Sequence, residues 1–227
     1  MQLLERCLNR FWFKYLSFYY IYTVSKKIKG MYILGSHNSW SYAKPKKWWM
    51  RPFRFMAKCQ SEDIKNQYFN HVVRCFDLRV RFDKDGHPIV AHGSMIYDIS
   101  EEKLMADLTF LNNRVSVPYV RVLHEVRSKK AYTKEEVRLF REFCDALVHK
   151  FPKLMFWCGR NLYNWEIDYD FNNAPTCEEK YSSVCPPKIL DDWYPYLYAK
   201  MNNDKIKKEG TEKDILLIDF VNIGTLI

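Results

Sequence analysis

The sequence predicts an α/β fold on a largely parallel sheet, and three observations carry that reading. Six short apolar runs have strand character, at 31–35, 73–82, 88–92, 119–126, 154–158 and 215–221. Helical patterns at 61–71 and 134–150 fall between them, and apolar strands followed by helices indicate a parallel sheet covered by helices. One or two further strands within 160–200 would complete a distorted or incomplete (β/α) barrel of the TIM type. A chain of 227 residues, 48% apolar and 17% aromatic, suffices for one such domain plus a short appendage. Only 7 Gly and 9 Pro exclude low complexity, and no internal repeat is visible.

The appendage is residues 1–30, an amphipathic helical segment, and the barrel domain spans 31–227. Leu3, Leu4, Cys7, Leu8, Phe11 and Tyr15 recur at three- and four-residue steps, so 3–29 reads as a helix. The apolar stretch 15–24 is too short to cross a bilayer and is flanked by Lys14, Lys26 and Lys27. No small-residue cleavage site follows, which argues against a signal peptide. The helix either docks on the domain or lies on a membrane surface. Further along, Val137, Phe140, Phe143, Cys144, Leu147 and Val148 share one face of the helix at 134–150. Residues 159–213 are the least regular, broken by Asn172-Asn173-Ala174-Pro175 and Pro186-Pro187.

Charge is unevenly placed. Residues 1–60 hold 12 Lys or Arg against a single acid, Glu5, whereas the other 167 hold 24 basic and 26 acidic residues. That bias points to anionic lipid headgroups or nucleic acid as partners of the N-terminal quarter. The seven cysteines, 7, 59, 75, 144, 158, 177 and 185, form no CxxC pair. Cys75 and Cys158 lie in apolar runs, and the set reads as mostly reduced. The expected setting is cytoplasmic, with peripheral membrane contact; a Cys177–Cys185 bridge stays open.

Chemistry concentrates in three segments where an apolar run turns polar: Ile33-Leu34-Gly35-Ser36-His37-Asn38-Ser39, Cys75-Phe76-Asp77-Leu78-Arg79-Val80-Arg81 and Ile89-Val90-Ala91-His92-Gly93-Ser94. Two imidazoles can supply a base and an acid near neutral pH, and a guanidinium between them can hold a phosphate. That is the minimum equipment for phosphoryl transfer without a metal.

These motifs resemble the X-domain of phosphatidylinositol-specific phospholipase C in its bacterial, metal-independent form. Gly35-Ser36-His37-Asn38-Ser39, Gln60-Ser61, Gln67, Arg74, Asp77, Arg79, His92-Gly93 and Asp219-Phe220 follow the family's order over roughly 31–221. The resemblance implies a phosphodiesterase that cleaves a lipid or inositol phosphodiester by intramolecular attack, through a cyclic phosphate. His37 would be the base, oriented by Asp219; Arg79 would stabilise charge at phosphorus; His92 would protonate the leaving alcohol. Asp77 would fix the guanidinium or the second imidazole. Asn38 stands where the bacterial enzymes usually carry Asp, and its amide would orient His92 by a hydrogen bond. Calcium-dependent relatives have Asn there as a ligand, but also need an acid where this chain has Arg79. No catalytic metal and no cofactor are therefore expected. The chain is also shorter than typical bacterial members.

On the substrate side the expected residues are Glu125, which ends its strand, Arg127 two residues on, and Arg160 after Gly159 at the mouth. His124 points the other way, and His71, His87 and His149 have no supporting context. Lys44, Lys46, Lys47, Arg51 and Arg54 interleave with Trp48, Trp49, Phe53 and Phe55. That composition suits a membrane interface, stacking on single-stranded nucleic acid, or rim packing. The preferred partner is a phosphodiester substrate, with no nucleic acid. Two alternatives remain: a metal-dependent glycerophosphodiester phosphodiesterase-like enzyme, for which Arg79 is the wrong residue type, and an inactive headgroup-binding barrel.

Overall fold

The computed structural model describes residues 32–125, 132–158, 167, 169–171, 178–181, 194–210 and 214–224. The helix expected over 3–29 lies outside them. Among the described residues, eight strands form one sheet: β1 (Ile33–Ser36), β2 (Cys75–Phe82), β3 (Pro88–His92), β4 (Met95–Ile96), β5 (Tyr119–His124), β6 (Met155–Trp157), β7 (Glu178–Tyr181) and β8 (Asp214–Ile218). Six run parallel in the order β7-β8-β1-β2-β5-β6. The α/β sheet expected is present; β6 and β7 share no pairing among the described residues, which therefore do not form a closed barrel.

β2 is the central strand. Its first four residues, Cys75, Phe76, Asp77 and Leu78, are buried without alternation, as a parallel strand covered on both faces requires. Its far end pairs antiparallel with β3, Val80 opposite Val90, around a turn in which Asp83 Oδ1 accepts the Asp85 and His87 N–H groups. The sequence reading placed β3 in the run of sheet strands without this reversal. The hairpin matters because it carries His92 back toward Arg79.

Among the described residues, four α-helices and one 3₁₀ helix accompany the sheet: α1 (Ile64–Asn70), α2 (Glu101–Asn112), α3 (Lys134–Lys150), α4 (Pro195–Glu209) and the 3₁₀ segment Trp48–Met56. Asp63 and Ser100 cap α1 and α2 by accepting the Asn66 and Lys103 N–H groups. Thr133 and Glu136 form a reciprocal capping box on α3, which buries Phe140, Phe143, Cys144 and Leu147. Val148, expected on that face, is exposed instead. No helix among the described residues is long and apolar enough to cross a membrane.

β1 can sit tightly between β2 and β8 because Gly35 has no side chain. A Cβ there would come 2.6 Å from Leu217 Cδ2 and 3.1 Å from Cys75 Cβ. We expect Gly35→Ala to destabilise the fold by about 1–3 kcal/mol through overpacking, read as a lower urea midpoint at unchanged slope.

Candidate active site

The carboxyl ends of β1, β2, β5 and β8, with the β3 hairpin, bring seven sequence-selected residues together. His37 follows β1 directly, and its N–H donates to Ile218 O at 3.0 Å, tying it to the end of β8. Asp219 is the next residue there, and its Oδ1 lies 2.8 Å from His37 Nδ1. Arg79 Nη2 lies 2.6 Å from His37 Nε2. A guanidinium can only donate, so Nε2 accepts and the ring proton sits on Nδ1, donated to Asp219. The base expected from the sequence thus carries its lone pair on the nitrogen facing Arg79.

Arg79 is held on three sides. Its Nε donates to Asp77 Oδ2 at 2.9 Å, its Nη1 to Glu125 Oε2 at 3.1 Å, and its Nη2 to His37. Asp77 is fully buried, and it also accepts the Asn38 N–H at 2.9 Å and Arg121 Nη1 at 3.0 Å. Burial alone would raise its pKa. The Arg79 and Arg121 guanidiniums, His37 and the Asn38 N–H outweigh that and hold the carboxyl well below 3.8. Glu125 accepts the Gly93 N–H at 2.9 Å through its other oxygen. Despite its burial, its pKa is also lowered, by Arg79, His92 and Gly93.

His92 stands edge-on to His37, ring centroids 5.6 Å apart at 86°. Its Nδ1 lies 3.2 Å from Ala57 O and 3.7 Å from Cys59 Sγ. Tyr97 Oη donates to the same Ala57 carbonyl at 2.5 Å. The expected hydrogen bond from Asn38 to His92 is not there. Asn38 is buried in the left-handed region at φ 44°, which Asn tolerates, and both its carboxamide atoms lack partners. It serves the site through its main-chain N–H, and a backbone carbonyl takes the place of its side chain beside His92.

The segment before α1 locks this arrangement. Gln60 Nε2 donates to His37 O at 3.0 Å and Ile218 O at 2.9 Å, while its Oε1 accepts the Val221 N–H. Ser41 Oγ accepts the Cys59 and Gln60 N–H groups. Sequence reasoning found Gln60 as a motif residue but missed Cys59, its neighbour, and Arg121, which lies opposite Asp77 on β5. His124 stacks on Phe82 as a structural residue, and Arg127 and Arg160 lie outside the described residues. Among the described residues, one group could hold a metal ion: His37, Cys59 and Asp219 offer ligand atoms within 4.8 Å of one another.

No family model matches the sequence, and no curated protein matches it. Solved structures do match. Phosphatidylinositol-specific phospholipase C from Listeria monocytogenes superposes with a TM-score of 0.54 at 15% identity, over 84% of this chain and 88% of that one. The chain has the fold of a bacterial phosphatidylinositol-specific phospholipase C. A double mutant of the Staphylococcus aureus enzyme gives a TM-score of 0.50 at 16% identity, over 83% of this chain and 84% of its own. Within that fold, the two imidazoles and the guanidinium converge at one end of the parallel strands.

The surroundings of His92 disfavour its imidazolium. Burial first, then the Arg79 charge, lower its pKa below 6.5, and Glu125 pushes back by stabilising the cation. Removing the anion removes the charge that favours the imidazolium, so Glu125→Gln must move the titration further down. We expect His92 to titrate below 6.5 in the wild type and lower still in the variant, followed by NMR of the ring nitrogens. An upward shift in the variant would contradict the arrangement.

Proposed function

We propose that the protein is a phosphodiesterase of the phosphatidylinositol-specific phospholipase C type, acting on a lipid or inositol phosphodiester without a catalytic metal. One observation carries this reading: a guanidinium bonded to the first imidazole, with the second imidazole 5.6 Å from the first. His37 Nε2 takes the proton of a ring hydroxyl next to the phosphodiester, and Asp219 stabilises the imidazolium that results. The freed oxygen bonds to phosphorus while the bond to the leaving alcohol breaks. Arg79 shifts from Nε2 onto the developing phosphoryl charge, and His92 gives its proton to the leaving oxygen. Water then opens the cyclic phosphate as the imidazoles exchange roles. Each proton transfer is worth roughly 10²–10⁴ in rate, and a preorganised cation adds a few kcal/mol. The Arg79 cation also opposes a divalent ion at the phosphate, which weighs against the metal-dependent alternative. By resemblance, Glu125, Arg127 and Arg160 hold the substrate.

A cavity of about 300 Å³ lined by Lys47, Trp49, Met50, Arg81, Ser94 and Ile96 suits the leaving alcohol, since Ser94 lies two residues past His92. The 3₁₀ segment Trp48–Met56 borders this cavity and buries none of its residues. Trp48 is 76% exposed and Phe53 52%, among Lys46, Lys47 and Arg51. Exposed aromatics beside cations support peripheral docking on an anionic bilayer.

Incubation with phosphatidylinositol or glycerophosphoinositol in EDTA, followed by phosphorus NMR, tests the chemistry. A cyclic phosphodiester should appear first, and strict dependence on added metal would refute the proposal. His37→Ala, His92→Ala and Arg79→Lys should each lower kcat by about 10²–10⁴ with the fold retained. Near-normal turnover in any one removes that residue from its role.

For docking, the double variant Trp48→Ala/Phe53→Ala should bind phosphatidylserine-containing vesicles at least about tenfold more weakly, since each aromatic withdrawn forfeits about 1.5–3 kcal/mol. Hydrolysis of soluble glycerophosphoinositol should persist. Unchanged vesicle affinity would sink the docking role.

A further inference from the structure

The proposed chemistry leaves a buried thiol at its centre unused. Cys59 has no exposed surface, and its Sγ shares a neighbourhood with one His37 ring nitrogen and one Asp219 carboxylate oxygen, all within 4.8 Å of each other. A sulfur, a nitrogen and an oxygen make a donor set that Zn²⁺ accepts readily and Ca²⁺ does not. Bonds of about 2.0–2.3 Å in a tetrahedron place ligand atoms roughly 3.5 Å apart, so closing the site needs side-chain shifts of about 1 Å. Thiolate and carboxylate together neutralise a dication. Coordination releases the Cys59 thiol proton to solvent as the metal–sulfur bond forms, and an ion on Nδ1, the nitrogen facing Asp219, moves that nitrogen's proton to Nε2, where it displaces Arg79.

The three donors are also held in place before any ion arrives. Phe220 N donates to Cys59 O at 2.6 Å, His37 N to Ile218 O at 3.0 Å, and Cys59 N to Ser41 Oγ at 2.9 Å. Gln60 bridges His37 O and Ile218 O. The loops after β1 and β8 and the Cys59 segment therefore form one hydrogen-bonded unit, which lowers the ordering cost of a site. Asp219 is buried, unlike the exposed acidic groups that cluster on protein surfaces by chance, while the His37 side chain is 17% exposed and gives an approach from solvent.

We propose that His37, Cys59 and Asp219 form a binding site for a borderline-soft divalent cation of the Zn²⁺ type, and that the ion silences the enzyme by capturing the imidazole needed as base. The silencing rests on the proposed function; the binding does not. A fourth position is left for water, as in three-ligand zinc sites. The ion acts here as an inhibitor and not as a cofactor, which is compatible with metal-free turnover.

Titration of the metal-free, full-length protein with Co²⁺ tests the site directly. One equivalent should bind with a thiolate-to-cobalt charge-transfer band in the near ultraviolet, and Cys59→Ser should lose that band. Asp219→Asn should keep the band but bind Co²⁺ about tenfold or more weakly, which guards against misfolding of the cysteine variant. A band that survives Cys59→Ser, or no stoichiometric binding by the wild type, overturns the site. In the phosphodiesterase assay, the Zn²⁺ concentration giving half inhibition should rise about tenfold or more in Cys59→Ser, relative to that variant's own metal-free rate. Equal sensitivity would overturn the silencing, and an inactive protein that still binds Co²⁺ through Cys59 would sink the proposed function while leaving the site intact.

Discussion

Asp77 is a carboxylate with no contact with water, placed where strands β1, β2 and β5 meet, and the geometry of the site depends on how its charge is satisfied. Taking a carboxylate out of water costs several kcal/mol unless partners surround it. Here Arg79, Arg121 and the Asn38 N–H do so at 2.9–3.0 Å. Arg121 faces Asp77 in register across the parallel β2–β5 pair and is itself almost fully buried. The pair is thus mutually obligatory, and removing one side of such a pair costs about 3–5 kcal/mol. Because the folded pKa of Asp77 lies below its ordinary 3.8, its contribution to stability is full above that value and fades only as pH falls toward the folded pKa. The frame therefore persists through the whole range in which an imidazole titrates.

From that anchor the order of the site follows. Asp77 holds the Arg79 Nε, which leaves the two Nη groups to reach Glu125 and His37. Glu125 in turn holds the main chain just after His92 through Gly93. One network thus links both histidines without their touching through a hydrogen bond. Asn38 contributes only its backbone, and the neutral Ala57 carbonyl beside His92 supplies orientation without a full negative charge. The second imidazole accordingly depends on Glu125 for what electrostatic support its cation receives.

Much of this was legible in the sequence because it rests on short-range patterns. β2, β3, β5 and α3 announce themselves by apolar runs and a one-faced apolar pattern, and the three polar strand ends mark the site. What was illegible has a common cause: buried polar groups that break hydrophobic periodicity. In α2, Asp107 sits on the buried face because it accepts the Trp40 indole N–H and pairs with Lys103. In α4, Asn203 and Lys207 are buried because they cap the carbonyls of Asp219, Phe220 and Ile223, the loop that presents the candidate orienting carboxylate. A helix whose inner face serves another loop's backbone reads from sequence as irregular chain. Ala57 could not be found at all, since a backbone carbonyl leaves no mark on residue type.

The two imidazoles differ in ways that assign them opposite tasks in the proposed reaction. His37 is bracketed by an acceptor at Nδ1 and a donor at Nε2, which fixes a tautomer whose lone pair faces the Arg79 cation. His92 has a carbonyl at Nδ1, so a proton there is held whichever charge state the ring takes, and the exchangeable proton is on Nε2. Arg79 has two uses that exclude each other in time. In the structure it donates to Nε2; were Nε2 to take a proton, two donors would face one another and the guanidinium would have to move away. In the proposed reaction the substrate's phosphoryl oxygens would then accept from it. On the proposed mechanism, proton transfer to His37 and charge stabilisation at phosphorus would in this way be coupled through one side chain.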